Sequence, residues 1–261
     1  MNVLYEVKSH VAYITLNRVE KRNAFNAEVI QELLAVLQQA EADSHARVVV
    51  LQANGSVFSA GADLEWMQSM VNLSYAENIA DATELAELMR CLNFMSKPTI
   101  AKVQGAAFGG ALGLIACCDI AIASDNASFC LSEAKIGLAP ATIGPYVFAA
   151  IGERACRRYF QTAEVFDAAK ARELGLLHEV VPNHDLTTKV DELCLQLLRN
   201  SPQAMAEGKA LITTMQQQPL SPALIEHTVN MIARLRTSDE GQAGLKAFFA
   251  KEKAPWVINL K

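Results

Sequence analysis

Two short stretches carry the groups that could do chemistry. In GAAFGGALGL, residues 105–114, glycines at 105, 109 and 113 fall four apart, a further one stands at 110, and the rest are apolar. Glycine in a helix interior costs ~0.5–1 kcal/mol relative to alanine, so the stretch needs a compensating use. If Gly109 and Gly110 open a helix, their lack of a Cβ lets a ligand oxygen approach amides that have no intrahelical acceptor and carry the positive end of the helix dipole. In SVFSAGADLEWM, residues 56–67, Gly61 permits a turn and Ala62 can present a second free N–H. Two donors from separate loops converging on one oxygen form an oxyanion hole. The competing reading is that these glycines only let a helix pack closely on a strand.

Such loops must be held by regular elements, and the chain alternates strand and helix patterns. VAYITLN, residues 11–17, places Ala12, Ile14 and Leu16 on one face as a half-buried strand. Asn26 can cap a helix to about residue 42 with Ile30, Leu33, Leu34 and Leu37 as its buried stripe. Further strands are expected over residues 47–53, 97–105, 119–124 and 178–181, with helices over 76–95, from the glycine stretch onward, 144–160 and 168–174. After His184 the pattern is helical to the end, punctuated by Pro202, Pro219 and Pro222. The expected organisation is an α/β core over residues 1–185 followed by a helical segment over 186–261.

Composition removes several function classes. The chain has 261 residues, 51% hydrophobic and 20% charged, enough for a packed core. A formal charge of −5 speaks against broad nucleic-acid binding, which needs a basic face. No signal-peptide pattern opens the sequence, and the longest apolar run, residues 105–118, is short of the ~20 residues a membrane span needs. A cytoplasmic protein without membrane partners is expected. The six cysteines form no C-x-x-C pair and the five histidines have no metal spacing, so neither a metal nor a bound cofactor is expected. There is no P-loop, no G-x-S-x-G and no G-x-G-x-x-G.

Four segments in order, NRVEKRNAFN (17–26), VFSAGADLEWM (57–67), VQGAAFGGALGLIACCDIAIAS (103–124) and FCLSEAKIGLAP (129–140), together resemble the enoyl-CoA hydratase/isomerase, or crotonase, superfamily. AKARELGLLHEVV and EGQAGLKAFFAKEKAPW extend the resemblance to essentially the whole chain. It implies a spiral of ββα units with a C-terminal helical trimerisation segment, a homotrimer or homohexamer, and an acyl-CoA thioester as substrate, with coenzyme A arriving as part of that substrate. The implied oxyanion hole is the amides of Ala62 and Gly110. Ala60, Asp63 and Leu64 match the loop that follows the pantetheine and adenine, and Lys21 and Arg22 match basic residues near the phosphates. Phe248, Phe249, Lys251 and Lys253 match positions near the acyl-CoA of this or a neighbouring subunit. Glu133 matches a proton-transfer glutamate. Its neighbours Phe129, Leu131 and Ile136 would desolvate it and raise its pKa above the ordinary ~4.3, which suits acid/base work.

The chain departs from the family pattern in three places. Gly113 stands where hydratases carry a second glutamate, LAPATIGPY replaces a glycine run, and Glu65 replaces a lysine common among relatives. The segments around Gly113, Glu133 and AIGERACRRYF most resemble bacterial methylglutaconyl-CoA hydratases of leucine and acyclic-terpene catabolism, a branch that also lacks that glutamate. Hydration of 3-methylglutaconyl-CoA or a related carboxylated branched enoyl-CoA is therefore expected. A Δ3,Δ2-enoyl-CoA isomerase, for which one carboxylate suffices, is the alternative within the family. A non-catalytic, RNA-binding relative is the alternative outside catalysis, and the acidic balance disfavours it.

Overall fold

A computed structural model describes residues 1–258. Its six-stranded sheet is ordered β1 (Val3–Lys8), β2 (Val11–Leu16), β3 (Val48–Ala53), β4 (Thr99–Val103), β6 (Ile120–Ser124) and β9 (Glu179–Val181). Only β1 and β2 pair antiparallel; every later pair is parallel. Parallel strands are normally covered on both faces, and the sequence provides for that by alternation within continuous apolar runs. Along β3, Val49 and Leu51 enter the main core, whereas Val48 and Val50 enter a second cluster on the opposite face.

The main core lies under α1 (Ala27–Ala42), which Asn26 caps by accepting from the Val29 amide at 2.9 Å. It also holds α4 (Gly110–Cys117), buried along nearly its whole length. That helix packs against α3 (Tyr75–Asn93) and α5 (Gly144–Thr162). The second cluster is closed by Leu186, Val190, Cys194 and Leu198 of α7 (Leu186–Leu198). α7 thus covers the second face of the sheet. The helices that follow are α8 (Pro202–Gln217), α9 (Pro222–Thr237) and α10 (Asp239–Ala250).

A three-stranded sheet of β5 (Ala106–Phe108), β7 (Ser128–Cys130) and β8 (Phe166–Asp167) sits at the C-terminal end of β4. Here the sequence reading is corrected. GAAF does not begin the helix; it forms β5, which pairs parallel with β7, and the helix starts only at Gly110. Pairing to β7 places the helix entry beside the turn that carries Glu133. The remaining elements are α2 (Leu64–Met70) and α6 (Ala168–Glu173). Among the described residues no helix is long and apolar enough to cross a membrane.

Candidate active site

Backbone pairing brings the two glycine loops together. Single β-bridges join Phe25 to Ala62 and Ser59 to Ala107. In the first, the Phe25 amide donates to the Gly61 carbonyl at 2.7 Å and the Asp63 amide donates to the Phe25 carbonyl at 2.7 Å. The Ala62 amide between them is left pointing the other way. Gly61 (φ +90°) and Gly109 (φ +53°) face one another closely: a Cβ on Gly61 would lie 3.0 Å from the Phe108 carbonyl oxygen, and one on Gly109 would lie 3.9 Å from the Gly61 Cα. Gly109, at φ 53° and ψ −124°, adopts a conformation that side chains disfavour. It turns the chain from β5 into α4, so that Gly110 becomes the first helical residue.

Among the described residues, the amides of Ala62 and Gly110 donate to no protein acceptor. Both residues line a cavity of about 500 Å³, within the size range of small-molecule sites. Two unsatisfied amides from separate loops, one at a helix N-terminus, can hold the oxygen of a polarised carbonyl.

Glu133 lines the same cavity. It begins a 3-10 turn (Glu133–Ile136) closed by Gly137 in the left-handed region, with the Leu138 amide donating back to the Glu133 carbonyl at 3.0 Å. Its Oε1 lies 3.4 Å from where a Cβ on Gly109 would be, which places the carboxyl beside the amide-bearing loop. Its Oε2 is buried without a hydrogen-bond partner among the described residues. Burial pushes this carboxyl above its ordinary pKa, the direction that suits proton transfer near neutral pH.

The expected coenzyme-loop residues divide into two groups. Ala60 and Leu64 line the cavity. Lys21, Arg22 and Asp63 lie beside it on the loops that frame it. The Ala60 amide donates to the Arg22 carbonyl at 3.0 Å, and the Lys21 Nζ bonds the Glu65 carboxylate at 2.8 Å. The Asp63 carboxylate is committed inward. It accepts from the Glu65 and Trp66 amides as the cap of α2 and pairs with Arg18 at 2.5 Å. Burial raises its pKa, but Arg18 and the two amides outweigh that and hold it below the ordinary range.

Several lining residues escaped sequence reasoning. Asp81 is a second carboxylate on the wall, Lys135 is the one cation among the described lining residues, and Trp66, Asn78 and Ile143 are among the others. At Gly113, where a second glutamate is expected from the family pattern, a Cβ would lie 2.3 Å from Ile143 Cγ2 and 3.0 Å from Met89 Sδ. The space of that missing side chain is filled by Ile143, itself 2% exposed.

Two unsatisfied loop amides and a desolvated glutamate thus open onto one cavity of an α/β core of the crotonase fold. The chain belongs to the enoyl-CoA hydratase/isomerase family, whose sequence model matches residues 6–259. A crystal structure of an enoyl-CoA hydratase from Shewanella pealeana superposes with a TM-score of 0.96 at 48% identity, covering 98% of this chain and 96% of that one. A putative enoyl-CoA hydratase/isomerase (crotonase) from Legionella pneumophila gives 0.93 at 47% identity, covering 98% of both chains. A putative enoyl-CoA hydratase from Thermus thermophilus is 31% identical over 245 residues, 94% of this chain and 96% of its own length.

Proposed function

We propose that this protein hydrates the C2=C3 bond of an enoyl-CoA, with 3-methylglutaconyl-CoA or a related carboxylated branched enoyl-CoA as substrate. The observation that carries the reading is the pair of free amides at Ala62 and Gly110 opening onto one cavity with Glu133. The thioester oxygen accepts from both amides. As a water oxygen bonds to C3, its proton passes to Glu133 and the C2=C3 electrons move onto the thioester oxygen. The enolate formed is held by the two amides, each worth about 10²–10³ in rate. Glu133 then returns its proton to C2, which restores the carboxylate and completes the addition of water. A raised pKa narrows the gap between taking and giving that proton.

The names of the Shewanella and Thermus relatives support hydration. The exposed Phe248 and Phe249 of α10, packed edge to face at 5.6 Å, support a homotrimer or homohexamer in which a neighbouring copy covers them.

One observation favours isomerisation instead. With Ile143 in the space beside Gly113, Glu133 has no second glutamate from the glycine helix, and moving a proton between C4 and C2 needs only one carboxylate. Incubation with 3-methylglutaconyl-CoA, crotonyl-CoA and a 3-enoyl-CoA, followed by enoyl-thioester absorbance, separates the two. Hydration consumes the absorbance of the first two substrates, whereas isomerisation creates it from the third. The hydratase reading fails if only the 3-enoyl thioester reacts.

A further inference from the structure

The inward stripe of α3 carries a group whose position is costly. Asn78, Asp81, Ala82 and Leu85 fall at helical i, i+3, i+4 and i+7 spacing and all line the acyl cavity. Asn78 is occupied locally, its amide donating to the Leu73 and Ser74 carbonyls at 3.1 and 3.0 Å. That leaves Asp81 as a half-buried carboxylate beside Ala82 and Leu85, where an alanine or leucine would avoid the desolvation cost. The Trp66 indole of α2 is near enough to act against the upward shift of its pKa. A carboxylate offers about four acceptor sites, and Asp81 brings that capacity to the cavity wall.

No salt bridge engages it among the described residues, although Lys135 lines the same cavity. Glu84 lies near it on the same helix, with Gln31 of α1 donating to that carboxylate at 3.3 Å. Glu133 and Lys135 line the cavity from the 3-10 turn. Burial and then Glu84 push the Asp81 carboxyl upward, against the opposing effect of Trp66. A carboxylate with this acceptor capacity and no salt bridge is matched by a partner that brings a proton.

We propose that Asp81 is the specificity-determining residue of the acyl pocket, gripping a carboxyl group at the far end of the acyl chain through one shared proton. The inference rests on the carboxylated-substrate reading above and names the group that recognises that carboxyl. Two carboxylates in contact cannot both stay ionised. One keeps a proton and donates a short charge-assisted O–H···O⁻ bond to the other. Binding such a substrate at neutral pH takes up one proton from solution, and no bond to carbon changes. Asp81 is thus selective against acyl chains with a plain alkyl end, which leave its carboxylate desolvated and unpaired.

The test uses binding, so that it does not depend on turnover. Affinities for two saturated thioesters, 3-methylglutaryl-CoA with a distal carboxyl and isovaleryl-CoA without one, are measured by calorimetry from about pH 5.5 to about pH 8 in buffers of different ionisation heat. The expected result is uptake of one proton with 3-methylglutaryl-CoA alone, its dissociation constant rising towards about tenfold per pH unit at the alkaline end. Asp81→Asn, whose amide donates without a proton, flattens that slope while keeping the preference. Asp81→Leu lowers the 3-methylglutaryl to isovaleryl affinity ratio by about tenfold or more, the loss of one charged hydrogen bond. A purely structural tie between Trp66 and Asp81 would change both affinities together and leave the slope in place. Equal pH slopes for the two thioesters, or a ratio unmoved in Asp81→Leu, overturn the proposal. Failure to hydrate any enoyl-CoA overturns the functional reading instead, and the two failures are read in separate experiments.

Discussion

Ile143 and Gly113 share one space: a Cβ on the glycine would lie 2.3 Å from Ile143 Cγ2 and 2.8 Å from Ile143 Cβ. Ile143 immediately precedes α5 and lines the cavity, while Gly113 is buried one turn into α4. The pair explains why the glycine helix bears no carboxylate and why the helix bears a glycine there at all. Glu133 is thereby left as the one glutamate among the described residues lining the cavity.

The pair is expected to behave reciprocally. Gly113→Ala overpacks the core and lowers stability by about 1–3 kcal/mol despite its better helix propensity. Ile143→Ala costs about 2–5 kcal/mol by opening a cavity. Denaturant melts of the double variant should show a loss smaller than the sum of the two, because each change relieves the other. Strict additivity contradicts shared occupancy.

Gly109 carries the backbone turn that aims the Gly110 amide, at φ 53° and ψ −124°. Gly109→Ala places a Cβ 3.4 Å from Glu133 Oε1 in a conformation side chains disfavour. Steady-state kinetics should show kcat/KM falling by about 10²-fold, the scale of one oxyanion donor lost. An alanine variant as active as the parent contradicts the assigned geometry.

Glu133 is held above the ordinary carboxylate range by burial. It must be ionised to take a proton from water, so the acid limb of kcat/KM should lie above the usual ~4.3. For stability the sign is opposite to that of a paired acid. The native pKa is raised, so the contribution is full at low pH and is lost as pH rises through the raised value. Glu133→Gln should therefore be more stable than the parent at neutral pH, with the gap closing on acidification. Melts across pH check this.

The Arg18–Asp63 pair anchors the loop that presents Ala62, with side chains only 14% and 5% exposed. Arg18→Met leaves a buried carboxylate supported by two helix amides and should cost about 3–5 kcal/mol. Asp63 is depressed in the native state. The stability it contributes is present above its unfolded pKa of ~3.9 and lost as pH falls through the depressed value. Acid titration of unfolding in the parent and in Arg18→Met should show that dependence in the parent and a smaller one in the variant.

Local chemistry was legible in the sequence where one residue type had one physical use. Asn26 as a cap, the shared face of Ala12, Ile14 and Leu16 and the free amides around Gly61 and Gly109 follow from short-range rules. Glu133 was reached through its family resemblance and its apolar neighbours. β5 was hidden because three residues of GAAF carry no period, and only pairing with β7 makes them a strand. Asp81 reads as an ordinary polar position in a mixed helix; its direction is fixed by which face of α3 meets the cavity, a tertiary fact. Gly113 was visible as a departure, but its partner Ile143 lies thirty residues on and is joined to it only by packing.

The central claim, that Glu133 adds water under the two amides, is tested most directly by turnover of 3-methylglutaconyl-CoA in heavy-oxygen water. The account predicts product carrying the heavy oxygen on C3, formed about 10²–10⁴-fold more slowly by Glu133→Gln than by the parent. A double bond that moves without oxygen incorporation, or equal rates in the two proteins, would contradict it.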